Sequence, residues 1–240
     1  VWIIASRIND LQELFKQHMQ VVDDKSKKLV VGNYAWYQRE ALKFQYGNNL
    51  VWNSTTLQYS YPTEDPVANI VKLASATEGG DDKVMIKAAK LVGSIPQELT
   101  TPELTAFQTY MERVRFAGVR VEAVSRPADL MKISLKVYYD PLVMNADGSL
   151  ISDSGVFPVE DTINDYIKSL PFDGKFSVTE LIDKIQLTTG VVNPLFQTAH
   201  AKFGSFAYTP ITDYYNANAG YLKIDPNFPL SNSINYIAQS

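Results

Sequence analysis

The chain has no cysteine among its 240 residues, which excludes a disulfide framework, thiolate metal sites and thiol catalysis together. Histidine is almost as scarce, with only His18 and His200. His18 has no acid or second imidazole at metal-ligand spacing, and His200 stands between Ala199 and Ala201 in a strand-like run. A nucleophile elbow G-x-S-x-G is missing, as are the phosphate-cradling patterns G-x-x-x-x-G-K-[ST] and G-x-G-x-x-G. Nucleotidyl transfer needs carboxylates spaced to hold metal ions against a triphosphate. Gly93-Ser94 and Gly148-Ser149 supply the usual leading dipeptide, yet no D-x-D or D-x-E follows either of them. No apolar run approaches the roughly 20 residues that span a bilayer. Nor is there an excess of positive charge: 22 basic against 26 acidic residues leave no electrostatic footprint for nucleic acid. No catalytic residue, cofactor site or metal site is therefore expected, and neither nucleic acid nor membrane is an expected partner.

What remains is a chain with 45% hydrophobic and 20% charged residues, ordinary for a globular protein and long enough for one large domain or two small ones. It opens on Val1 inside an apolar helical pattern, and a preceding N-terminal segment is expected. Ile4, Ile8, Leu11, Phe15, Met19 and Val22 recur at intervals of three and four, one stripe of an amphipathic helix. The stretch Asp-Asp-Lys-Ser-Lys-Lys is expected to end it, with Lys25, Lys27 and Lys28 in a solvated loop. An aromatic second helix over residues 34–46, stopped by Gly47, completes a helical hairpin. A lone terminal helix cannot cover its whole stripe. Leu11 and Phe15 are accordingly expected to meet another chain.

From residue 50 the pattern turns β-prone. "LVWNSTTLQYSY" reads as a strand or two, and residues 69–92 as a hairpin turning at Gly79, Gly80, Asp81 and Asp82. Thr101, Pro102 and Glu103 start a helix that presents Leu104, Phe107, Tyr110, Met111 and Val114 on one face and stops at Gly118. Two strands follow. The second alternates Met131, Ile133, Leu135 and Val137 on a buried face against Leu130, Lys132, Ser134 and Lys136. Between them, Pro127 and Asp129 read as a bend and its cap. Residues 145–149 form a turn flanked by Asp140, Asp147 and Asp153; acidic turns sometimes hold calcium, but EF-hand spacing is absent. A helix over 159–170, a second opened by the Ser177/Glu180 capping box and closed at Gly190, and a last strand from Val191 complete this part.

The end of the chain differs in kind. Residues 206–240 concentrate Tyr208, Tyr214, Tyr215, Tyr221 and Tyr236 among Asn and Pro. Such a segment is too aromatic for disorder and too aperiodic for a long helix. An ordered arm is expected, lying either on its own chain or on a neighbour by strand addition through "GYLKID". Tyrosine brings large contact area with few rotatable bonds. Tyr214, Tyr215 and Tyr221 are therefore the arm's candidate partner-binding residues.

The run "YMERVRFAGVRVEAVSRPADLMKISLKVYYDP" and its continuation "VFPVEDTINDYIKSLPFDGKFSVTELIDKIQLTTGVVN" resemble the carboxy-terminal half of the baseplate J-like wedge proteins of contractile-tailed bacteriophages. "LQELFKQHMQVVDD" is similar to that family's N-terminal helix. The helix–strand–strand–helix–helix–strand order over 104–198 carries most of the likeness; residues 50–100 and the Tyr-rich end lie outside it. The resemblance implies a non-enzymatic structural subunit located in a virion tail baseplate and assembled in the bacterial cytoplasm. Its partners would be copies of itself, as a homo-oligomer in the assembly, and other baseplate or tail proteins.

The expected fold is α+β. It has an N-terminal helical hairpin (1–48), a central β-rich region (49–100), a C-terminal α/β domain with two consecutive helices on an antiparallel sheet (101–205), and an extended Tyr-rich arm (206–240). Two other functions stay open: a metal-dependent nucleotidyltransferase-like enzyme, marked by carboxylates clustered round a deep pocket, and a ligand- or carbohydrate-binding surface module, marked by an exposed aromatic groove.

Overall fold

The computed structural model describes residues 2–28, 32–55 and 57–239, and within the first helix the side chains from Arg7 to Val22 except Asn9. The fold is α+β. Helix α1 (Trp2–Lys28) runs through the Asp-Asp-Lys-Ser-Lys-Lys stretch and does not stop before it, so Lys25, Lys27 and Lys28 are helical and not in a loop. The stretch contains no Gly or Pro, and its acids precede lysines by four residues, a spacing that favours continued helix. Helix α2 (Tyr34–Ala41) is shorter than expected. The Asn33 side chain caps it by accepting from the Trp36 N–H at 2.9 Å.

Strands β1 (Val51–Asn53) and β2 (Gln58–Ser60) form a small hairpin of their own. Strands β3 (Leu73–Glu78) and β4 (Lys83–Val92) pair antiparallel about the predicted Gly-Gly-Asp-Asp turn, where Asp81 and Asp82 take φ of 57° and 55°. After a tight turn at Gly93, β5 (Ile95–Gln97) pairs back on β4. Helix α3 (Thr101–Val114) begins one residue after its Thr100 cap, whose N–H donates to the Glu103 carboxylate at 2.7 Å. Strand β6 (Arg120–Val124) then returns parallel to β4. Tyr37, Phe44, Ile86, Phe107 and Met111 make a first core between this sheet and the helices α2 and α3.

The expected boundary at residue 101 is therefore displaced. Helix α3 packs its Phe107, Tyr110 and Met111 into the first core, and the chain passes to a second core only after β6. Among the described residues the expected helical hairpin is not clearly confirmed. Helix α2 lies on β3, β4 and α3, whereas the described side chains of α1 are all exposed.

Strand β7 (Asp129–Tyr139) is the axis of the second core and buries every other residue as its alternation predicted. Helices α4 (Pro158–Ser169) and α5 (Val178–Gln186) are both present, separated by the short strand β8 (Lys175–Ser177). Their Val159, Ile163, Tyr166, Leu181 and Ile185 share one cluster with Met131, Ile133, Leu135 and Val137. Strand β9 (Val191–Lys202) pairs antiparallel with β7, and β10 (Thr209–Pro210) pairs with β9.

The arm supplies the rest. Strand β11 (Tyr214–Asn216) pairs with β8. Strand β12 (Leu222–Ile224), the short helix α6 (Leu230–Ser233) and strand β13 (Ile234–Ala238) follow, with β12 and β13 both running parallel to β7 along its second edge. The sheet is thus mixed, not the purely antiparallel one expected. The parallel half comes entirely from the arm, whose short runs carry little β periodicity of their own.

Candidate interaction surfaces

Helix α1 leaves a row of large apolar side chains uncovered. Ile8, Leu11, Leu14, Phe15, Met19, Val21 and Val22 are between 49% and 70% exposed. Leu11 and Phe15 sit in the middle of that stripe as predicted. The side chain of Ile4 lies outside the described ones. Among the described polar neighbours of the stripe, Lys16 pairs with Glu13 at 2.8 Å within the helix. A second exposed apolar site is the β1–β2 hairpin, where the Trp52 and Tyr59 rings meet edge to face at 5.2 Å.

The three arm tyrosines part company. Tyr214 is 60% exposed, with the Lys175 ammonium 6.0 Å from its ring centre. Tyr215 and Tyr221, also expected to meet a partner, are half-buried, with their hydroxyls bonded within the chain. The Tyr215 hydroxyl donates to Asp129 Oδ2 at 2.6 Å, and the Tyr221 hydroxyl donates to the Arg126 carbonyl at 3.0 Å. Burial first, and then the neighbouring carboxylates, raise the pKa of both phenols.

Asp129 explains this arrangement. It was expected to cap a turn; instead it is fully buried at the start of β7. Its carboxylate also accepts from the backbone N–H groups of Asn218 at 2.8 Å and Ala219 at 3.1 Å. A buried carboxylate must be hydrogen-bonded to be tolerated, and nearly all its donors come from the arm. Asp225 repeats the pattern. It is fully buried, accepts from the Asn227 N–H at 2.8 Å and from the Tyr208 hydroxyl, and has Lys202 Nζ at 3.5 Å. The Tyr208 bond, with help from Asn227 and Lys202, holds its carboxyl below the ordinary range. Tyr208 itself is pushed up to about 12, by burial first and then by Asp225.

The two cores meet through Lys87 of β4. Its ammonium donates to Asp173 Oδ1 at 2.6 Å and to the Ala217 carbonyl at 3.1 Å, while the Ser75 hydroxyl donates to Asp173 Oδ2 at 2.9 Å. Beside this contact lies a cavity of about 510 Å³, lined by Leu91, Ile95, Ile167, Phe172, Tyr221 and Ile224 among others, and by no Asp or Glu. Its walls are mostly aliphatic. His18 is exposed on α1, and His200 is half-buried opposite Lys132 in the β7–β9 ladder. Among the described residues no group of three or more His, Asp or Glu is placed to hold a metal ion. No helix among them is long and apolar enough to cross a membrane.

Compared with known protein families and with curated proteins, the sequence matches none.

Proposed function

We propose that the chain is a structural subunit of a phage or phage-derived contractile-tail baseplate wedge, acting by binding other protein subunits and not by catalysis. The observation that carries this reading is the uncovered face of α1, which sets a row of large apolar side chains in water. Exposed apolar surface of that extent is characteristic of a protein–protein contact. The order of elements from α3 to β9 supports it too. The one addition is β8, a strand of three residues, to the helix–strand–strand–helix–helix–strand sequence that the baseplate resemblance implies. On this reading the two compact cores are a rigid body, and α1, Trp52 with Tyr59, and Tyr214 are the points at which neighbouring tail proteins attach.

Electron microscopy of tail particles from cells that lack this chain tests the proposal. Tail tubes without an assembled baseplate are expected, and baseplates return when the chain is supplied in trans. Complete baseplates in its absence would overturn the assignment.

A further inference from the structure

Part of the apolar stripe of α1 also fits a heptad. Ile8, Phe15 and Val22 stand seven residues apart, and Ile4, Leu11 and His18 form a second series three residues after Val1, Ile8 and Phe15. Those are the a and d positions of a heptad, the period of about 3.5 residues that keeps one seam facing a partner helix along a supercoil. The helix is 27 residues long, about 40 Å at 1.5 Å per residue, so it presents nearly four heptads. The flanking e and g positions are apolar as well at Leu14, Met19 and Val21, which widens the seam. All the described seam residues are exposed, so none of this surface is used within the chain.

We infer that α1 is a parallel coiled-coil helix whose partner is α1 of further copies of this chain. This inference rests on the assembly reading and names the partner at one of its surfaces. Area is sufficient: at roughly 100 Å² of removable apolar surface per exposed side chain, two such stripes bury on the order of 1,400 Å², the range of a stable specific interface. Orientation follows from the register. In a parallel coil every layer is homotypic: Ile8 on Ile8, Leu11 on Leu11, Phe15 on Phe15, Val22 on Val22. An antiparallel pair aligned by its heptads sets Ile8 opposite Lys25 or His18, or opposite Leu11 in a shorter overlap that leaves Val22 unpaired, and so loses an apolar layer in each register. In the parallel arrangement His18 meets only its own copies, between the Phe15 and Val22 layers, and the seam ends where Lys25 occupies the next such position. A polar layer inside the seam fixes register and lowers stability.

Sedimentation of the full chain over a concentration range tests this. The chain is expected to self-associate. Leu11→Asp and Phe15→Asp should each weaken association at least tenfold, while Val67→Asp, on an exposed loop away from α1, leaves it unchanged. His18→Leu should tighten association at least tenfold at unchanged stoichiometry, which aggregation of misfolded chains would not preserve. Orientation is read from disulfides, since the chain has no cysteine of its own. Ile8→Cys and Val22→Cys chains should each cross-link to themselves under mild oxidation, and a mixture of the two should give no mixed product. A monomer at every concentration, an inert His18→Leu, or cross-links only between Ile8→Cys and Val22→Cys would overturn the coil. If the chain is monomeric yet still required for baseplates, the coil falls and the assembly reading stands.

Discussion

The Asp129 carboxylate and the Tyr215 hydroxyl, 86 positions apart in the chain, lie 2.6 Å apart and lock the C-terminal arm to the strand at the centre of the second core. The consequence is that the arm belongs to the fold. Ile211, Ala217, Leu222, Leu230 and Ile234 of the arm are all buried in the second cluster. Truncation after Gly204 is therefore expected to strip one edge of β7 and abolish cooperative melting of that half. Unchanged melting would show that the arm is dispensable to the core.

Asp129→Ala should be among the most damaging single changes. It orphans the Tyr215 hydroxyl and the N–H groups of Asn218 and Ala219, each in a charge-assisted bond. A loss of about 3 kcal/mol or more is expected, against about 1–2 kcal/mol for Tyr215→Phe, which removes one donor only. Denaturant titration of the two variants checks the ratio, and equal losses would contradict this account.

The capping box of α5 closes through a third residue. Ser177 Oγ accepts from the Glu180 N–H at 3.3 Å, but the Ser177 N–H donates to the Tyr166 hydroxyl of α4 at 3.0 Å, and that hydroxyl has Glu180 Oε2 at 3.1 Å. Tyr166→Phe leaves a buried N–H without a partner and should cost about 1–2 kcal/mol. Combined with Ser177→Ala, the loss should be less than the sum, because the two residues share one network. Full additivity in a double-mutant cycle would argue against the link.

Two pH limits follow from the Tyr208–Asp225 pair. The Asp225 carboxyl is held below its ordinary value, so its stabilisation is complete above about pH 4 and fades as pH falls through the lowered folded value. Tyr208 is raised from 10.0 to about 12, so its contribution is complete below pH 10 and is lost between pH 10 and 12. Thermal melting across pH should show both arms. In Asp225→Asn the acid arm should flatten; persistence of its full slope would place the acid sensitivity elsewhere.

Gly148 takes φ of 88°, and a Cβ there would stand 2.2 Å from Cζ of Tyr236. Gly148→Ala is expected to displace β13 from β7 and to cost several kcal/mol. Trimming the obstructing ring with Tyr236→Ala should recover part of the loss, leaving the strain of the positive φ. Absence of any recovery in the double variant would show that the ring contact is not the cause.

Local chemistry carried a large share of this fold. The 3–4 spacing of α1, the strict alternation of β7, the Gly-Gly-Asp-Asp turn and the Ser177 cap each depend on residues within a few positions of one another, and each forms where its pattern lies. The place of Leu11 and Phe15 on one apolar stripe was legible for the same reason, since helical spacing alone sets it. Long-range pairing decided the rest. Nothing near Asp129 in sequence says that its donors stand at Tyr215, Asn218 and Ala219, and Asp-after-Pro reads as an ordinary bend. The parallel pairing of β12 and β13 was hidden likewise, since strands of three and five residues take their order from β7 and not from their own period. Tyr215 and Tyr221 carry the same side chain as the exposed Tyr214. Only the fold, by turning β11 onto β8 and the following loop onto Asp129, determined which ring faces solvent and which hydroxyls are held inside.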